Sequence, residues 1–230
     1  MSRIYVVSIP RLTERHSHIL KQFPEGEQPI WSFTVGGGYD FQNMNAADLA
    51  KLGLFNWQSN SKFKWWARPL KFGEIACALN HLSCWEDAAR RGTDFCVIFE
   101  DDVSLKCDFK QIRATISDLY NLDGKWDLLY LARSKRQQDL PAGRGFVRPG
   151  YSYGAWAYCL SAAGIRKLLA YDFRSKLMPS DEFLPATFVE HPRKDVAKAI
   201  IPSLRAYALE VELATLARFG SETEASGFVG

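Results

Sequence analysis

Apolar positions fall into short continuous runs separated by stretches of helical period, which is how a sheet buried on both faces and flanked by helices is written in sequence. Ile4 to Ile9 (IYVVSI) is a β-branched run closed by Pro10, and Arg11 to Phe23 follows with Leu12, Ile19 and Leu20 as a helical apolar face. Trp31 to Val35 predicts a second strand running into Gly36, Gly37 and Gly38, a flexible turn that lacks the lysine and hydroxyl of a P-loop. Asn45 to Leu52 predicts a short helix, and 53–70 is irregular and tryptophan-rich. Phe72 to Arg91 is the clearest helix, with Ile75, Leu79, Leu82 and Ala89 on one face and Gly92 as its stop. Phe95 to Val103 (FCVIFEDDV) reads as a buried strand that runs straight into acids.

Asp108 is placed to cap a helix carrying Phe109, Ile112, Ile116 and Leu119, and Trp126 to Leu131 is the next buried strand. Ala132 to Gly150, rich in basic residues and prolines, reads as a long loop at the sheet edge, of the kind that forms substrate lids. Tyr151 to Leu160 is an aromatic strand, with Ser161 capping a helix that turns Ile165, Leu168 and Leu169 inward. Around Met178 to Phe188, Ser180 is a candidate N-cap, Asp181 and Glu182 lie in the first turn, and Pro185 limits the helix. Ala199 to Leu209 predicts a last strand, and 221–230 a loose tail after a single domain over 1–220.

The candidate chemistry gathers at Glu100, Asp101 and Asp102. Emerging from the carboxyl end of a buried strand, they sit on the rim where open α/β sheets bind ligands. Like charges about 4 Å apart repel by roughly 4 kcal/mol at an effective dielectric of 20, and a bound cation removes that cost. An all-oxygen set favours Mg²⁺ or Mn²⁺, ions that usually share substrate phosphates; a solvated acidic loop is the plainer reading. Arg11 and Arg15, four apart, project from one side of the first helix, either into solvent or toward a diphosphate. Glu74, His81 and Trp85 fall within about 40° of one another on the long helix, a mixed stripe that faces the site or simply packs.

Composition alters little. At 230 residues with 47% apolar and 24% charged, the chain suits one core, and a net charge of +3 gives no nucleic-acid signature. Lys62 to Lys71 (KFKWWARPLK) is locally basic and aromatic, either a packed loop or a contact for an acidic glycan or membrane surface. Five cysteines without a CxxC pair predict reduced thiols in a cytoplasmic protein. The first ten residues hold too short an apolar run for a signal peptide, and no stretch is long enough to span a membrane, so membrane contact is at most peripheral.

Five segments, IYVVSIPRLTER, FGEIACALNHLSCW, VIFEDDV, SYGAWAYCLSAAGIRKLL and MPSDEFLP, occur in the order that resembles glycosyltransferase family 25, which contains lipooligosaccharide and procollagen galactosyltransferases. WDLLYLARSKRQ, DEFLPATFVEHP and SETEAS resemble the procollagen branch more than the bacterial one. The resemblance implies a Rossmann-like GT-A fold with a mostly parallel sheet, inverting transfer from a UDP-sugar such as UDP-galactose, and a divalent metal, usually Mn²⁺. It implies Asp102 on the metal, assisted by Glu100 or Asp101, a donor site drawing on Pro10, Arg11, Arg15, Glu74 and His81, and Asp181 as general base with Glu182 as its alternative. The acceptor it implies is a glycan, glycolipid or collagen-like chain; a non-catalytic sugar-nucleotide module is the other reading. The chain departs from the family by having Asn80 where serine is usual. It also lacks the late histidine of the procollagen enzymes, so that on this resemblance either His191 substitutes or the metal is held by fewer protein groups, with the tail's Glu222 and Glu224 as further candidates.

Overall fold

The computed structural model describes residues 2–57 and 67–229, so most of the basic, aromatic segment around Trp65 lies outside the described residues. In chain order the elements are β1 (Ser2–Val7), α1 (Thr13–Leu20), β2 (Ile30–Trp31), α2 (Ala46–Leu49), α3 (Phe72–Arg90), β3 (Phe95–Glu100), β4 (Val103–Leu105) and α4 (Phe109–Leu122). The second half supplies β5 (Leu128–Lys135), β6 (Leu140–Gly143), β7 (Phe146–Arg148), β8 (Ser152–Ser161), α5 (Ala162–Ala170), α6 (Ser180–Ala186), α7 (Lys194–Ala199), β9 (Ala206–Leu209), β10 (Ala214–Leu216) and α8 (Glu222–Ala225).

The main sheet has eight strands in the order β2-β1-β3-β8-β5-β9-β7-β6, in which β7 and β8 run against the others. A second, two-stranded sheet joins β4 to β10. Alternate side chains divide the core as a period of two requires. Tyr5, Ile98, Leu128 and Tyr130 face the layer holding α3, α5 and α6. Val6, Val97, Phe99 and Leu129 face Ile19 of α1 and the apolar stripe of α4. The mostly parallel, helix-flanked α/β sheet anticipated from the sequence is therefore present.

Several boundaries differ. The strand expected over Trp31 to Val35 lasts two residues, because the Ser32 hydroxyl donates to the Ser8 carbonyl and accepts from the Ser8 amide, turning the chain into a 3₁₀ turn. The expected loop from Ala132 instead continues β5 and then forms the β6–β7 hairpin, with Gly143, Arg144 and Gly145 at positive φ. Arg133 is buried there because Ser152 (2.6 Å) and Asp139 (2.6 Å) satisfy its guanidinium, which hides a charge that reads as loop polarity. No residue of this segment borders the clefts described below, so it is not a lid over them. Ser180 is not a cap: Pro179 takes that position without a side-chain bond, and the buried Ser180 hydroxyl has no partner. The expected last strand starts late, at Ala206, after α7 and an extended stretch, and β10 follows it. Among the described residues no helix is long and apolar enough to cross a membrane.

Helix α3 is enclosed almost all round and fixes the layer beneath the site. Its first turn is closed by the Glu74 carboxylate, which accepts from the Lys71 amide at 2.7 Å. Its last turn is tied to β1 by Asp87, which accepts from the Tyr5 hydroxyl (2.9 Å) and from Arg91 and Arg90. Although burial alone would raise the Asp87 carboxyl, these donors hold it below its ordinary 3.8. A depressed carboxyl stabilises the fold above the unfolded value and loses that contribution as pH falls through the folded one. Asp87→Asn should therefore destabilise the protein by about 1–3 kcal/mol at pH 7. The gap between wild type and variant in urea unfolding should close as the pH is lowered below about 4.

Candidate functional site

The three acids at the end of β3 are each met differently. Parallel pairing sets Val7 opposite Glu100, so Ser8, next along, reaches Asp101 with its hydroxyl. Arg15, brought in by α1 and itself buried, donates to Asp101 at 2.8 Å and lies 3.4 Å from Asp102. Burial pushes the Asp101 carboxyl above its ordinary range against the pull of Ser8 and Arg15. Burial and then the Glu100 charge push Asp102 up to about 7. The Asp102 Oδ1 atom is buried with no hydrogen-bond partner. Glu100 accepts from or faces His81 Nε2 at 3.2 Å, and His81 Nδ1 lies 2.9 Å from the Tyr158 hydroxyl.

Two clefts meet at Glu100 and Cys77. The first is floored by Ser8, Arg15 and the three acids and walled by Tyr39 and Phe41. The second is lined by Tyr153, Trp156, Ser180, Asp181 and Glu74. Because β8 runs antiparallel beside β3, its beginning lies at the rim where β3 ends, and this brings Tyr153 and Trp156 to the second cleft. Gly154, at φ +100°, lets the Trp156 ring lie across its backbone, where any Cβ would collide with the indole.

Ser221 and Thr223 border both clefts. The segment read from sequence as a loose tail is tied across the opening: Arg11 holds Glu222, Lys71 holds Glu224, Arg15 donates to the Gly220 carbonyl, and the Gly73 amide donates to Ser226 at 2.9 Å. A Cβ on Gly73 would come within 2.8 Å of Thr223 and Ser226, so only glycine lets α8 approach this closely.

Asp181 is half-buried in the second cleft, and its carboxyl is raised well above 3.8 by burial first and then by Glu182, Glu74 and Glu100. Glu182 points the other way into the protein, where Tyr151 donates to it and His191 Nε2 lies 2.8 Å from the same oxygen. It is a buried, satisfied group and not a second base in the cleft. His191 is taken up by that pair and does not meet Asp102 or Glu100, so it does not complete the acidic site. Glu222 and Glu224 are held by Arg11 and Lys71.

The remaining expectations divide. Glu74 borders the second cleft but is bound by Arg68 (2.6 Å) and the Lys71 amide. Arg11 is held by Asp40 and Glu222 at the edge, and Pro10 is exposed and borders neither cleft. Ser8, Cys77 and Tyr39 carry no mark of the site in the local pattern, apart from the placing of Cys77 four residues before His81, because their partners lie far away in sequence. Ser221 and Thr223 enter it as lining residues where only Glu222 and Glu224 of the tail were expected.

A mixed sheet whose rim carries acids over paired clefts, with a small second sheet beside it, is the arrangement expected of a GT-A-type domain. The chain belongs to glycosyltransferase family 25: the pattern described as "Glycosyltransferase family 25 (LPS biosynthesis protein)" matches residues 1–184. Among its relatives, "Probable inactive glycosyltransferase 25 family member 3" of Rattus norvegicus is 33% identical, covering 96% of this chain and 39% of that protein. "Inactive glycosyltransferase 25 family member 3" of Mus musculus is 32% identical over 96% of this chain and 38% of that protein. "Procollagen galactosyltransferase 1-A" of Xenopus laevis is 32% identical over 74% of this chain and 29% of that protein. The chain thus spans about two fifths or less of the length of these relatives.

Asn80, the departure from the family's serine, has a structural role. Its Oδ1 accepts from the Gly38 amide (2.7 Å) and the Tyr39 amide (3.2 Å), and its Nδ2 donates to the Tyr39 carbonyl (2.9 Å). The triple glycine is therefore a turn fastened to α3, which places Tyr39 on the first cleft. Asn80→Ser should cost about 1–3 kcal/mol in urea unfolding, since two partly buried amides lose their acceptor. Local amide exchange at 38–39 should rise more than in the sheet.

Proposed function

We propose that this chain is the catalytic unit of a metal-dependent inverting glycosyltransferase that moves a hexose, most simply galactose from UDP-galactose, to a hydroxyl of a glycan or of a hydroxylysine-type acceptor. The observation that carries this reading is the bare, buried Asp102 Oδ1 beside Glu100, at the junction of one cleft with a second that holds Asp181. An unsatisfied buried carboxylate oxygen is costly unless something binds it. Hard oxygen donors fit Mn²⁺ or Mg²⁺, with Asp102 and Glu100 as the protein ligands. When bound, such an ion offsets the charge that develops on a departing diphosphate.

The first cleft takes the nucleotide, whose base and ribose lie against Tyr39 and Phe41, while Arg15 acts by holding Asp101 and Asp102 in place. The second cleft takes the acceptor. Asp181, made more basic by burial and by neighbouring carboxylates, removes the acceptor hydroxyl proton as that oxygen bonds to the anomeric carbon. The bond from that carbon to the diphosphate breaks on the opposite face, and configuration inverts. His81 keeps Glu100 oriented from beneath. The acidic, aromatic wall of the second cleft favours an acceptor that carries an amine as well as a hydroxyl. The Xenopus relative's name supports galactose as the sugar, and the family description supports a glycan as the alternative acceptor. The five free thiols support a cytoplasmic placement.

A second reading, a sugar-nucleotide module without turnover, is favoured by the rat and mouse relatives named inactive. Mn²⁺-dependent UDP release from UDP-galactose, with hydroxylysine peptides and lipid-linked oligosaccharides as acceptors, separates the two. Release is expected from the wild type; binding of the donor without release by any acceptor would establish the second reading. Asp102→Asn should abolish release without lowering the melting temperature. Asp181→Asn should reduce kcat by roughly 10²- to 10⁴-fold while leaving donor affinity unchanged.

A further inference from the structure

We infer that Cys77, His81 and Glu100 form a second binding site, overlapping the one proposed above at Glu100, for a borderline-soft divalent cation of the zinc class, with a fourth position open to the clefts. Cys77 and His81 stand four apart on α3, hence on one side of the helix, and Glu100 ends the strand facing them. One ligand atom from each lies within 4.8 Å of the other two, and His81 Nε2 is 3.2 Å from Glu100 Oε1. Zinc bond lengths of about 2.0–2.3 Å put tetrahedral ligand atoms roughly 3–4 Å apart. Cys77 and Glu100 are neither of them fully buried, and the remaining closure to that spacing is asked of their side chains.

Two further observations point the same way. The other ring nitrogen of His81 is already fixed by the Tyr158 hydroxyl, which accepts from Trp85 Nε1 at 2.8 Å. An outer partner of this kind orients imidazoles that bind metals. Cys77 also borders both clefts, whereas Cys84, Cys96 and Cys159 are buried in the core. Softness separates this set from the oxygens of Asp102, which suit Mn²⁺ or Mg²⁺. On binding, the Cys77 S–H bond is exchanged for a sulfur–metal bond and the proton passes to solvent. Glu100 is then withdrawn from the role given it above, so the two ions compete through one shared carboxylate.

Cobalt(II) added to the full chain reports the site directly. The expected result is a thiolate-to-cobalt charge-transfer band with the intense visible absorption of a four-coordinate ion, both displaced by one equivalent of Zn²⁺. Cys77→Ser should lose the band, while Cys107→Ser and Asp102→Asn keep it. Tyr158→Phe should weaken Zn²⁺ binding roughly 10- to 100-fold. The readout is a thiolate spectrum and not turnover, so it is decided independently of whether the chain transfers sugar. If Cys77→Ser does not fold, Zn²⁺ protection of Cys77 from alkylation, mapped in the wild-type chain, supplies the answer. Absence of the band, its persistence in folded Cys77→Ser, or alkylation at equal rates with and without Zn²⁺ would overturn the inference.

Discussion

Repulsion among three consecutive carboxylates at the end of β3 is the constraint around which the site is built. At separations near 4 Å each pair is worth several kcal/mol when partly buried, so the strand end is tolerable only because other elements converge on it. Asp101 takes Ser8 and Arg15, Glu100 takes His81, and Asp102 is left with a distant share of Arg15 and one bare oxygen. These partners come from the turn after β1, from α1 and from α3. The register that sets Val7 against Glu100 makes the match, and a slip of one residue would turn Ser8 and the alternating core residues to the wrong side.

The reversed strand β8 performs the complementary task. A parallel neighbour would have put the start of that strand at the far edge of the sheet; the antiparallel one brings its aromatic beginning beside the acids. Helix α6 then sends adjacent carboxylates in opposite directions, Asp181 to the cleft and Glu182 to Tyr151 and His191. One acid is raised in pKa at the cleft while its neighbour is held by Tyr151 and His191, and in the reaction proposed above this division separates the proton acceptor from a framework residue.

Much of the fold was legible because buried strands and amphipathic helices leave periodic marks: the runs at Ile4, Phe95 and Trp126, and the stripe Phe109, Ile112, Ile116 and Leu119, each became the expected element. The acidic strand end was legible for the same reason, being charges placed against an apolar run, whereas Asp181 stood out as a site residue only through the family resemblance. What escaped depends on pairing across distance. Arg133 read as loop polarity because its partners Ser152 and Asp139 are invisible to local pattern, and His191 read as a spare ligand because nothing nearby in sequence announced Glu182. Ser180 looked like a cap, yet Pro179 already sets the backbone angle that starts α6.

The segment Gly220–Ser226 lies beyond the 184 residues matched by the family pattern, yet it encloses both clefts and seats its own carboxylates on Arg11 and Lys71. Floor and roof of the cavity thus come from parts of the chain about 120 to 210 residues apart. Any molecule entering either cleft passes a strap that two ion pairs fasten to the chain just before α1 and to the start of α3, so loosening those pairs changes both clefts at once.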